Sequence, residues 1–86
     1  MINDKNNPVA WPLLLSELDE AREHLESLVK EIGESGQIEE SDFAVHIAHV
    51  YAHLNRAWNS RNLAAEIPEE EWEEYSRFPD DLGPVG

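Results

Sequence analysis

Cysteine is missing altogether, and basic residues are few. Without cysteine there is neither a disulfide framework nor a thiolate metal site; a reducing compartment fits, and the expected location is cytoplasmic. Six lysines and arginines stand against nineteen acids, a formal charge of −13 over 86 residues. Nucleic-acid binding draws its affinity from cations meeting phosphates, so no nucleic-acid partner is expected, and no anionic membrane surface either. No stretch approaches the roughly 18 successive apolar residues of a membrane span. Residues 1–12 lack the charged-then-apolar pattern of a signal peptide. The serines sit in no nucleophile elbow, and no glycine-rich loop is present to cradle a phosphate. Much of the acidity serves solubility.

What the chain does have is spacing. Trp11, Leu14, Leu18, Ala21, Leu25, Leu28 and Ile32 follow one another at alternating intervals of three and four. After Gly33 and Gly36 the rhythm resumes in Phe43, Ile47, Val50, Leu54, Ala57 and Arg61. Two heptad runs joined by a short connection predict an antiparallel helical hairpin. The register that closes places Ile32 against Phe43, Leu28 against Ile47, Leu25 against Val50, Ala21 against Leu54 and Leu18 against Ala57.

One domain is expected over 1–86: a flexible leader over 1–10, the hairpin over 11–66, a short aromatic-containing helix over 67–78 and an irregular tail over 79–86. Pro12 suits a first helical turn, and Gly33 is the expected stop of the first helix. Ser41 is the expected N-cap of the second, which must end before Pro68. Pro68 followed by Glu69, Glu70 and Glu71 opens the third.

Beside the seam, one flank is largely apolar: Leu15 with Trp58, Arg22 with Tyr51, Val29 with Ala44. A lone hairpin gives Leu15, Val29, Tyr51 and Trp58 nowhere to go, which predicts a homodimer, a four-helix bundle closed by a two-fold axis. Trp72, Tyr75 and Phe78 can cover that flank within the monomer or serve as a contact for another protein.

The other flank carries chemistry. His49 and His53 are four apart on the second helix, as are Glu20 and His24 on the first. The register sets the two pairs side by side, a donor set suited to zinc or another divalent ion, with Glu17 as a further ligand or an acceptor for an imidazole N–H. A second acidic pattern, Glu17-x-x-Glu20 and then Glu39-x-x-Asp42, resembles the magnesium-binding signature of the all-α nucleoside triphosphate pyrophosphohydrolases, the MazG-like and dimeric dUTPase-like family. That resemblance implies Glu17, Glu20, Glu39 and Asp42 as magnesium ligands on a nucleotide's phosphates; it covers residues 17–42 only.

The strong signals are packing signals. The expectation is therefore an all-α protein acting as a non-enzymatic self-association or protein-interaction module. Divalent-metal binding by the Glu/His cluster and magnesium-dependent nucleotide hydrolysis stand as the alternatives.

Overall fold

A computed structural model describes all of residues 1–86 as helices and loops, without a strand. Two long helices, α1 (Ala10–Ser35) and α2 (Glu40–Asn59), lie antiparallel. A 3₁₀ turn over Glu69–Glu71 leads into one turn of helix, α3 (Trp72–Tyr75), so the expected third helix is shorter than 67–78. No helix is long and apolar enough to cross a membrane.

Residues before α1 are held by a turn, in which the backbone N–H groups of Asn3 and Asn6 donate to the side-chain oxygens of Asn7 and Asn3. Pro12 falls in the first turn of α1, where the absent N–H has no intrahelical partner to lose. Gly33 does not end the helix. A glycine inside a helix costs only about 1 kcal/mol, and the left-handed residue that does end it is Gly36, at φ 71°, whose N–H donates to the Ile32 carbonyl. Glu39, in extended geometry, precedes α2. Glu40 and Asp42 then lie in its first turn, near the positive helix end.

α2 stops at Asn59, short of the expected limit near Pro68. Local hydrogen bonds compete with its continuation there. The Ser60 hydroxyl donates to the Arg56 carbonyl at 2.6 Å, Arg61 donates to the Trp58 carbonyl at 2.7 Å, and the N–H of Leu63 turns back to Ser60.

The hairpin closes on half of the heptad pattern. Ala21 and Leu28 of α1 and Val50 and Ala57 of α2 are buried. The alternate row, Leu18 and Leu25 with Ile47 and Leu54, remains about two-fifths exposed. The expected seam is therefore rotated. Alanine at positions 21 and 57 lets the backbones approach along that line, leaving the bulky row to one side.

Candidate functional site

The seam has two flanks of opposite character. On the polar flank, α1 contributes Glu17, Glu20 and His24, and α2 contributes His49, His53 and Arg56. His24 stands 4.1 Å from His49 and 5.4 Å from His53 between ring centroids, and His49 lies 4.9 Å from His53. These are the neighbours that the Ile32–Phe43 register implies. Donor nitrogens of the three rings lie within 4.8 Å of one another. Glu17, Glu20 and His53 form a second group of the same tightness. Glu20 thus meets the cluster through His53, rather than standing as a fourth member beside all three rings.

His53 is the joint between the two groups. Its Nδ1 lies 3.0 Å from Glu17 Oε1 and 3.3 Å from Glu20 Oε2. Its Nε2 is buried without a partner. His49 is held below the ordinary imidazole pKa, first by loss of hydration among its neighbours. Repulsion from His24, His53 and Arg56 adds to this, while Glu20 opposes it.

Arg56 was not legible as a site residue, and it organises the flank. Its Nε donates to Glu17 Oε2, its Nη1 to Ser76 Oγ at 2.8 Å, and Nη2 comes within 3.0 Å of His53 Nδ1. Trp72 covers the guanidinium at 4.5 Å. Glu17 and Arg56 side chains are 12% and 8% exposed, so this ion pair sits largely out of water. The only sequence signal for it was position: Arg56 and Ser60 follow His49 and His53 along one face at helical spacing.

Two asparagines on α2 hold the C-terminal strap. Asn55 donates to the Ser76 carbonyl at 2.9 Å; Asn59 donates to those of Tyr75 at 2.8 Å and Arg77 at 2.9 Å. Phe78 stacks on Tyr51 at 5.4 Å. Trp58 donates through Nε1 to Asp81 at 3.0 Å, and Arg61 lies 3.8 Å over its ring. Of the expected contact aromatics, Trp72 and Phe78 thus have partners within the chain.

The apolar flank is less covered. Leu18, Ala21, Leu25, Val29 and Leu54 line an open groove edged by Arg22, Glu26 and Lys30. Phe43, Ala44, Ile47, Ala48 and Tyr51 line another. Of the four residues expected at a subunit contact, Leu15 and Val29 are exposed at 48% and 64%, Tyr51 has Phe78 on one face, and Trp58 is half-buried.

The four carboxylates of the acidic pattern do not converge within the chain. Glu17 and Glu20 lie beside His53, whereas Glu39 and Asp42 lie at the start of α2. From Glu20 to the end of α1 at Ser35 is about 20 Å of helix. No protein-family model, curated protein or solved structure matches the chain.

Proposed function

We propose that the chain is a self-association module, in which the apolar flank pairs with the same flank of a second copy to make a dimeric four-helix bundle. The observation that carries this reading is the uncovered row of Leu18, Leu25, Ile47 and Leu54, each about two-fifths exposed, and the surface of the whole chain agrees with it. A compact chain of 9.8 kDa exposes about 5,200 Å², whereas this one exposes 6539 Å². The excess, about 1,300 Å², is larger than the roughly 800 Å² that each partner contributes to a standard protein interface. Its radius of gyration, 14.8 Å, likewise exceeds the roughly 12 Å expected of a compact domain of this length.

A second copy suits the face because it brings what the first one lacks. Leu18, Leu25, Ile47 and Leu54 are one row of each heptad, and an isologous contact supplies the same row from the opposite side. The groove edge carries both signs, Arg22 and Lys30 beside Glu26. Sedimentation equilibrium tests the reading. Wild type is expected to be dimeric with a concentration-dependent thermal midpoint, and Leu25→Glu to be monomeric. A wild-type chain that stays monomeric and folded up to near-millimolar concentration would sink it.

A further inference from the structure

On the opposite flank, we infer that His24, His49 and His53 form a binding site for a divalent transition-metal ion of the zinc class, with Glu17 orienting the His53 ring. The inference stands apart from self-association, since it uses none of the apolar row.

Two observations carry it. The first is convergence: three imidazoles from two helices bring donor nitrogens within 4.8 Å of one another. Zinc bonds of 2.0–2.1 Å in a tetrahedron place ligand nitrogens about 3.3 Å apart. The rings therefore need to close by at most about 1.5 Å, within reach of side-chain rotation because His49 is exposed. The second is the state of His53. Its side chain is 5% exposed, and Nε2 is buried with no hydrogen-bond partner. A buried polar atom without a partner is uncommon and calls for an explanation.

The Nδ1 side supplies that explanation. Three groups crowd Nδ1: the Glu17 oxygen at 3.0 Å and the Glu20 oxygen at 3.3 Å, which only accept, and Arg56 Nη2 at 3.0 Å, which only donates. The two carboxylates outweigh a guanidinium already bonded to Glu17 and Ser76, and they place the proton on Nδ1. With the proton there, Nε2 is left as a free lone pair, the form in which imidazole binds metal. A carboxylate holding the far nitrogen is also the usual support of a metal-bound histidine, fixing its tautomer and raising its basicity. Arg56 brings a positive charge to this edge, but Glu17 pairs with it directly and Glu20 adds a further negative charge. Three protein ligands leave a fourth position for water. Nitrogen ligands with no thiolate suit zinc, copper or nickel, and disfavour magnesium and calcium.

The test is titration of the metal-stripped full chain with Zn²⁺ against a chromophoric chelator. Wild type is expected to bind one ion per chain. Glu17→Gln, which keeps an accepting oxygen but removes the charge, should weaken binding about 10- to 100-fold, and His49→Ala should weaken it further. His46→Ala, on the same helix but outside the cluster, should bind as wild type does. Circular dichroism at the titration temperature confirms that each variant is folded. Absence of saturable wild-type binding overturns the inference. So does a His49→Ala variant that binds as tightly as wild type, or an equal loss in His46→Ala, which marks unspecific chelation by surface histidines.

Discussion

One flank of the hairpin is wired and the other is merely greasy. Glu17, His53, Arg56 and Ser76 each meet their partners through directional bonds, and three separated parts of the chain must be in place for all of them to form. Leu18, Leu25, Ile47 and Leu54 have no such demands; they are two-fifths exposed and can be covered by any apolar surface of the right shape. The difference separates two kinds of information. Directional contacts specify which segments of one chain come together, whereas a non-directional row leaves the choice of covering surface open.

The comparison breaks most visibly at Arg56. Arg56→Leu leaves Glu17 buried without its counter-charge, and removing one member of a buried pair costs about 3–5 kcal/mol. Thermal unfolding should show a fall of many degrees. The double variant Glu17→Leu/Arg56→Leu should recover much of the loss, because it leaves no stranded charge. A double variant as unstable as the single one would mean that packing, rather than charge, holds this edge.

On the apolar side the expected loss is smaller and depends on concentration. Leu54→Ala in an isolated monomer removes a half-exposed side chain, for about 1–2 kcal/mol. In an associated state the loss grows, so the midpoints of wild type and variant should diverge as protein concentration rises. Parallel midpoints at all concentrations would take away the distinction drawn between the flanks.

Asn59→Ala tests the wiring at its far end. It removes the donor to two strap carbonyls, at a cost of about 1–2 kcal/mol, and should expose residues 75–81 to limited proteolysis while α1 and α2 stay intact. The smallest effect is expected from pH. The hydrogen bond from Trp58 holds the Asp81 carboxyl below the usual aspartate range, with Arg61 adding to it. Its contribution is therefore present above the ordinary aspartate value and lost as pH falls through the lowered one. The indole N–H resonance of Trp58 should report that step, with a midpoint below about 3.9; a midpoint at or above that value would contradict it.

The hairpin and the meeting of His24 with His49 and His53 were legible because both follow from helical spacing and one register. Which row of each heptad faces inward was not. An alternation of three and four defines two adjacent rows, and spacing alone does not choose between them; Ala21 and Ala57 chose, by letting the backbones close on the smaller side chains. The ends of α1 and α2 were missed for a local reason, the reach of single groups such as Ser60 Oγ and the left-handed Gly36. Asn55, Asn59 and the Ser76 end of Arg56 were missed for a distant one. Their partners lie in a segment without periodicity, and nothing in the spacing of α2 points to residues 75–77.

Asn55 and Asn59 grip the strap by its carbonyl oxygens, not by its side chains. What they recognise is therefore a path in space rather than a set of residue identities. The side chains of Tyr75 and Arg77 can be exchanged widely without touching that grip. Proline at position 76 cannot be accommodated in the same way, because the N–H of Ser76 turns back to the carbonyls of Trp72 and Glu73 and so gives the path its bend. The address of the strap on α2 is thus written in its curvature, and spelling changes that keep the curve leave it where it is.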